Sequence, residues 1–181
     1  MGKYESINDI LLDLGVLDGL CAKNGTTAKL MLFGASAILF QLELINIPFR
    51  ATEDIDLSIY EASDVSAISK NIQASLIELV SSGTIEVPPV EDFDDMEKFR
   101  IEWAFENIEV YVPSLEILAV TKIFSKRGKD LDDLKKSQLI PSCNKEKLLE
   151  LVNEYKDYVL GVDHFDMNLY ELNDIFKLHG V

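Results

Sequence analysis

Cysteine is nearly absent from this chain, which has only Cys21 and Cys143, far apart in the sequence. This spacing excludes a CxxC metal site and a disulfide framework, so a reducing compartment is the expected setting. Long apolar runs are absent too, since none reaches the roughly 18 residues that cross a membrane. Residues 1–5 lack the cationic start and apolar centre of a secretion signal. We therefore expect a cytoplasmic protein that does not enter a membrane.

Basic residues are also scarce. The chain has 17 Lys and Arg against 32 Asp and Glu, which gives a net charge of −15. Nonspecific affinity for nucleic acid depends on many cationic contacts to phosphate. The charge therefore argues against a broad nucleic-acid-binding surface. One segment differs, since Lys122–Lys136 carries a net charge of +3 and leaves −18 for the rest. We expect an anionic ligand to be steered to this segment.

Apolar residues make up 48% of the 181 residues, enough for a domain with its own core. Their periodicity predicts a small sheet domain with helices over residues 1–139, followed by a helical extension over residues 140–181. The expected class is therefore α+β. The predicted helices cover 6–22, 35–45, 64–82, 114 to near 128, a short stretch around 131–134, and most of the chain after 141. The predicted strands cover 29–33, 54–60, 84–87, 99–105 and 108–112.

Two acidic residues, Asp54 and Asp56, lie two positions apart on a predicted strand. Their side chains project from the same face, roughly 6–7 Å apart at the backbone. Two carboxylates on one face repel each other unless a cation lies between them, and Mg²⁺ prefers such hard oxygen ligands. The pair therefore fits half of a metal site. A solvated strand face remains the alternative, because acidic residues are common there.

A turn of small residues, Gly34-Ala35-Ser36, precedes this pair by about 20 positions. Glycine allows a sharp turn from strand to helix, and the start of the helix presents free N–H groups to which phosphate can bind. The Ser36 hydroxyl would add a donor. An ordinary strand-to-helix turn is the alternative. The turn followed by the acidic pair is more specific than either alone, and the order indicates chemistry on a nucleoside triphosphate.

Two blocks of sequence carry a family resemblance. The first comprises Phe33–Ala37 and Arg50–Leu57, and the second runs from Val110-Tyr111-Val112-Pro113-Ser114 through Lys122 to Lys126–Leu134. In this order they resemble the nucleotidyltransferase superfamily with the DNA-polymerase-β-type palm. Within it, they are most similar to small bacterial nucleotidyltransferases related to abortive-infection and toxin–antitoxin systems. The resemblance covers residues 28–136, about 60% of the chain.

The resemblance implies a small mixed-sheet palm and a Mg²⁺ site, with two metal ions in the full mechanism. Asp54 and Asp56 would bind the metal, and Lys122 would reach the phosphates. Lys129 and Asp130 match a Lys-Asp pair of the family, which we expect to orient Lys122 through local pairing. The residues that the resemblance assigns to nucleotide binding are Gly34, Ser36, Arg50, Thr52 and Lys129.

The superfamily has a third carboxylate on a later strand, and two glutamates are candidates for it. Glu109 points away from the inward-facing Ile108, Val110 and Val112, which makes it the preferred catalytic and metal-binding residue. Glu102 is the other candidate for this position. A surface glutamate on an edge strand is the alternative for both. Without a third carboxylate the two-metal mechanism would be incomplete.

Two functions follow as hypotheses. The first is a Mg²⁺-dependent nucleotidyltransferase that moves a nucleoside monophosphate from an NTP to an acceptor hydroxyl on a small molecule, a protein or a tRNA. The second is a catalytically degenerate nucleotidyltransferase fold that acts as a regulatory or toxin–antitoxin interaction module. Amphipathic helices at both ends would suit a homodimer or an antitoxin partner.

Overall fold

The computed structural model describes residues 3–75, 77–80, 87–158 and 167–181. Within these ranges, helices and strands alternate in the first part of the chain, two more strands complete a five-stranded sheet, and only helices follow. The strands are β1 (Ala28–Phe33), β2 (Asp56–Ala62), β3 (Glu78–Leu79), β4 (Lys98–Arg100) and β5 (Ile108–Pro113). The helices are α1 (Ile7–Asn24), α2 (Gly34–Leu44), α3 (Val65–Ala74), α4 (Leu115–Ile123), α5 (Gly128–Lys136), α6 (Leu139–Ser142), α7 (Lys145–Tyr158) and α8 (Leu172–His179).

The sheet is mixed and has the strand order β3-β2-β1-β5-β4. The central strand β1 runs antiparallel to β2 and parallel to β5, while β2 and β3 are parallel and β4 and β5 are antiparallel. The predicted α+β class is confirmed. The predicted hairpin also forms, although its first strand spans only Lys98–Arg100. No helix in the described ranges has both the length and the apolar character to cross a membrane.

The position of β1 in the centre of the sheet brings the start of α2 next to the start of β2. Leu30, Met31 and Leu32 are completely buried, because a continuous apolar run suits a strand that is covered on both faces. The register places Phe33, the last residue of β1, opposite Asp56, the first residue of β2. Since α2 begins at the next residue, the start of this helix lies directly beside the start of β2.

The chain after Ala74 differs from the prediction of one helix over 64–82. Helix α3 ends at Ala74, and β3 follows after Ser75, whose hydroxyl donates to the Ile72 carbonyl at 2.8 Å. The amide of Glu78 then donates to the carbonyl of Ile55 at 2.9 Å, and the next contact between the strands is from Val80 to Leu57 at 2.8 Å. The helix prediction is wrong here because the edge of β2 offers backbone partners that local periodicity does not reveal. The predicted strand over 84–87 lies almost entirely outside the described residues.

The C-terminal helices pack on α4, and the helical prediction for this region is confirmed in the described part of the chain. Helix α4 is buried from Glu116 to Ile123, and α7 lies along it. Leu148 and Val152 of α7 and Ile175 of α8 join the same apolar cluster as the sheet residues. The side chains of α4 are therefore held between α2, which packs on the sheet, and the C-terminal helices.

This packing predicts unequal effects for two adjacent leucines of α7. Leu148 is completely buried, whereas Leu149 is 37% exposed. We expect Leu148→Ala to lower the free energy of unfolding by about 2–4 kcal/mol, because it removes buried methyl groups and leaves a cavity. Leu149→Ala should lower it by less than about 1 kcal/mol. Urea unfolding of the two variants measures the difference, and equal losses would contradict the packing of α7 on the core.

Candidate metal and nucleotide site

A cavity of about 820 Å³ lies at the end of the sheet where β1 gives way to α2. One wall is formed by Gly34 and Ala35 at the start of α2. The floor contains the acidic residues at the starts of β2 and β3, and the segment 48–54 forms a second wall. Lys122, Arg127 and residues along the length of α5 close the remaining side. The predicted phosphate turn, acidic pair and basic segment therefore border one space.

Three carboxylates meet on the floor of this cavity. Ligand oxygens of Asp54, Asp56 and Glu78 all lie within 4.8 Å of one another. Glu78 is placed there by the pairing of β2 and β3, in which it lies directly opposite Asp56. Oxygen ligands on opposite sides of one Mg²⁺ are separated by about 4 Å, given metal–oxygen distances of about 2.0–2.1 Å. An all-oxygen set of this size suits a hard divalent cation.

The structure does not bring Glu109 or Glu102 to Asp54 and Asp56. Glu109 lies opposite Lys29 at the start of β1, whereas Asp56 lies opposite Phe33 at its end. Four residues of strand separate these two levels, which is about 13 Å. Glu109 instead accepts a hydrogen bond from the Tyr111 hydroxyl at 2.7 Å, and Glu102 is exposed beyond the end of β4. The third carboxylate beside the pair is Glu78.

Sequence reasoning missed Glu78 because the residue was assigned to a helix. A signal was present, since Glu78 lies between the apolar residues Ile77 and Leu79, an alternation that also fits a short strand. In a helix the side chain of Glu78 would have pointed away from the site. In the parallel strand β3 it projects beside Asp56.

The conformation of Gly34 is tied to the acidic cluster. Its φ is +65°, and a Cβ atom at this position would lie 1.8 Å from Oδ2 of Asp56. Both the backbone angle and the close approach therefore require glycine. Ala35 also borders the cavity, and no side chain caps the start of α2 at Phe33. The first amide groups of this helix are suited to an anionic ligand.

The structure does not bring the hydroxyl of Ser36 into the cavity. Ser36 is completely buried, and its hydroxyl donates to the carbonyl of Phe33 at 3.0 Å. It therefore stabilises the strand-to-helix turn. Thr52 does border the cavity, and its buried hydroxyl lies 3.2 Å from Oδ1 of Asp54, so it can orient that carboxylate. The backbone of Thr52 is fixed in turn by two hydrogen bonds to Tyr4, each of 2.9 Å.

Lys122 reaches the cavity from α4 and is held by two aspartates of α5. Only 3% of the residue is exposed, and its Nζ pairs with Asp130 and, at 3.0 Å, with Asp133. Asp130 also accepts hydrogen bonds from Ser125 at 2.6 Å and from Nε of Arg127 at 2.7 Å. Burial alone would raise the pKa of Asp130, but the charge and hydrogen bonds of these partners hold it below its usual value. The predicted pairing between Asp130 and Lys122 is thus present.

Arg50 and Lys129 reach the cavity in different ways. Arg50 donates from Nε and from one terminal nitrogen to the two oxygens of Asp133, at 2.6 and 2.8 Å. This bidentate contact joins the segment before β2 to α5. The side chain of Lys129 is 81% exposed and its Nζ lies 3.9 Å from the carboxylate of Glu53, so Lys129 is at the rim of the cavity.

The negative charge of Asp56 is unfavourable in the metal-free site. Burial raises the pKa of Asp56 to about 7, and the negative charges of Asp54 and Glu78 add to the effect, while Lys122 and Arg127 oppose it. The anionic form is therefore costly in the absence of a cation. A divalent ion among the three carboxylates would remove this cost.

The sequence of the chain matches one family model over residues 15–173, most of its length. The model describes DUF6036, a nucleotidyltransferase of unknown function. The chain belongs to this nucleotidyltransferase family. The predicted superfamily is thereby confirmed, whereas the relation to toxin–antitoxin systems remains a prediction. No curated protein and no solved structure matches the chain significantly.

The raised pKa of Asp56 predicts that metal stabilises the protein more at pH 8 than at pH 6. The unfolded chain loses this proton near 3.8 and the metal-free native state near 7, so stability falls as the pH rises between these values. Above pH 7 a cation no longer competes with the proton. The shift in Tm caused by Mn²⁺ or Mg²⁺ should therefore be at least about twofold larger at pH 8. Thermal unfolding at both pH values measures it.

Asp56→Asn provides the control for this experiment. Without metal at pH 8 its free energy of unfolding should exceed that of the wild type by about 2–4 kcal/mol, with a higher Tm, because the unfavourable half-buried charge is gone. It should also lose the metal-induced shift. A wild-type shift that is equal at both pH values would contradict the assignment of Asp56.

The contact between Gly34 and Asp56 gives a second prediction. Gly34→Ala should displace the Asp56 carboxylate and weaken metal binding about tenfold or more, with a loss of about 1–2 kcal/mol in stability from the strained backbone. Isothermal titration with Mn²⁺ measures the affinity. Gly15→Ala is the matched control, because its Cβ meets nothing within 4 Å. Unchanged metal affinity in Gly34→Ala would show that the site does not depend on this approach.

Proposed function

We propose that the protein is a divalent-metal-dependent nucleotidyltransferase that moves a nucleoside monophosphate from an NTP to an acceptor hydroxyl, with Mg²⁺ as the expected ion. The observation that carries this proposal is the meeting of Asp54, Asp56 and Glu78 beside Gly34 in one cavity. Membership of a nucleotidyltransferase family supports the reaction class. The all-oxygen donor set supports the choice of ion.

Different residues of the chain are suited to different roles in such a reaction. The uncapped start of α2, at Gly34 and Ala35, is suited to receive phosphate oxygens. Lys122 contributes positive charge on the opposite side of the cavity and is kept in place by Asp130 and Asp133. When bound, the divalent ion would supply charge neutralisation and Lewis-acid polarisation of the phosphate.

Transfer itself requires an in-line displacement at the α-phosphorus of the NTP. The acceptor oxygen forms a new bond to phosphorus, and the bond to the β-phosphate oxygen breaks, so that pyrophosphate leaves. A carboxylate of the cluster takes the proton of the acceptor hydroxyl. Asp54 is held for such a role by the hydroxyl of Thr52 at 3.2 Å.

The alternative function, a non-catalytic interaction module, was suggested by the uncertain third carboxylate and by the strongly acidic composition of the chain. Glu78 supplies a group of the required chemistry beside Asp54 and Asp56. We therefore favour catalysis.

Glu78 and Glu109 form a matched pair for testing the proposal. Glu78→Gln should reduce transfer on the order of 100-fold, because it removes one anionic ligand from the cluster while keeping the size of the side chain. Glu109→Gln should leave transfer within about twofold. The assay incubates the protein with each α-labelled NTP and a cell extract, and follows label transfer and pyrophosphate release. Equal activity in the wild type and in Glu78→Gln would count against the proposal.

A further inference from the structure

The segment before β2 adds an aromatic and apolar wall to the cavity. Pro48, Phe49 and Ala51 border it together with Arg50. This wall differs in character from the acidic floor at Asp54, which suits cations and the phosphates bound to them. A ligand that filled both parts would carry a polyanionic end and an uncharged, largely apolar end.

Arg50 forms part of this wall while most of its donor atoms are already bound to the protein. Its Nε and one terminal nitrogen donate to the two oxygens of Asp133, and its other terminal nitrogen lies 3.3 Å from the carbonyl of Ala51. The edge of the guanidinium is therefore largely used by the protein. The side chain nevertheless remains 43% exposed, while Asp133 is only 2% exposed. The exposed surface consequently includes the stem and the flat faces of the group more than its donating edge.

Phe49 supports the guanidinium of Arg50. The guanidinium carbon lies 5.4 Å from the centroid of the Phe49 ring, within the range of a cation–π contact. With its edge fixed by Asp133 and a ring beside it, the guanidinium has little freedom to turn toward a phosphate. Guanidinium groups in such settings stack on flat aromatic rings.

The charge of this wall also favours an uncharged ligand group. The bidentate contact with Asp133 offsets the positive charge of Arg50 at close range. Lys122 shares the same aspartate but lies deeper, beside Asp130. The uncapped amide groups at the start of α2 are therefore better placed to attract phosphate than Arg50 is.

We propose that Phe49 and Arg50 form the surface on which the nucleobase of the NTP stacks. This proposal rests on the proposed function and assigns Arg50 to the base instead of the phosphates. Stacking accepts any base through its π-face, so this surface supplies affinity for a nucleoside with little choice among bases.

The experiment compares two probes by titration in Mn²⁺. One is whichever of ATP, GTP, CTP and UTP binds the wild type most tightly, and the other is inorganic tripolyphosphate, which has no base. Phe49→Ala should weaken NTP binding about tenfold, as expected for the loss of a stacking partner, and change tripolyphosphate binding by less than about twofold. Arg50→Lys should give the same pattern, because it keeps the charge and removes the flat group.

Two further variants keep the result interpretable. Phe49→Leu retains apolar bulk but no aromatic ring, so it should fold like the wild type and still weaken NTP binding selectively. Phe99→Ala removes an exposed phenylalanine of β4, a residue that does not border the cavity, and should change neither affinity.

The outcomes separate the two proposals. Equal losses for NTP and tripolyphosphate in the Phe49 and Arg50 variants would overturn the stacking surface, because they would place both residues at the phosphates. Unchanged NTP affinity in these variants would also overturn it. Failure of the wild type to bind either probe would instead refute the proposed function, and the stacking surface with it.

Discussion

The carboxylate of Asp56 lies where any side chain at position 34 would have to be. This close approach fixes the start of α2 against the start of β2, and it sets the half-buried carboxylate of Asp56 beside the half-buried Asp54 and the exposed Glu78. Repulsion within such a cluster raises the free energy of the native state unless a proton or a cation offsets it. The fold holds the cluster together because β1, β2 and β3 are hydrogen-bonded neighbours in one sheet. The carboxylates thus repel one another but are held close together, and this arrangement suits a site that binds a metal ion.

The opposite side of the cavity shows how the chain balances this negative charge. Lys122 and Arg50 both contact Asp133, and Lys122 also contacts Asp130. Buried ion pairs add little to stability once desolvation is counted. Their effect here is positional, because they join the segment before β2, helix α4 and helix α5 around one space. The basic segment Lys122–Lys136 is consequently divided between cations used inside this network and cations at the rim such as Lys129.

Local patterns in the sequence predicted much of this protein. The apolar run of β1, the glycine turn and the acidic pair lie within one continuous stretch, and each has a local physical signature. The pairing of Lys122 with Asp130 also follows from residues close together in the chain. Thr52 and Ser36 could not be assigned in this way, because a hydroxyl can face a ligand or the protein's own backbone. Only the surrounding contacts decide between them.

The sequence by itself determined the family, the α+β class and the order of the glycine turn and the Asp54–Asp56 pair, because all of these depend on local spacing and on motif residues. The tertiary structure decided which residue lies beside the pair as a third carboxylate and which residue the guanidinium of Arg50 contacts. Glu78 reaches the site through strand pairing with β2, and Asp133 meets Arg50 from 83 positions away. Such contacts depend on sheet register and helix packing, which involve distant parts of the chain and leave no periodic signal in the sequence.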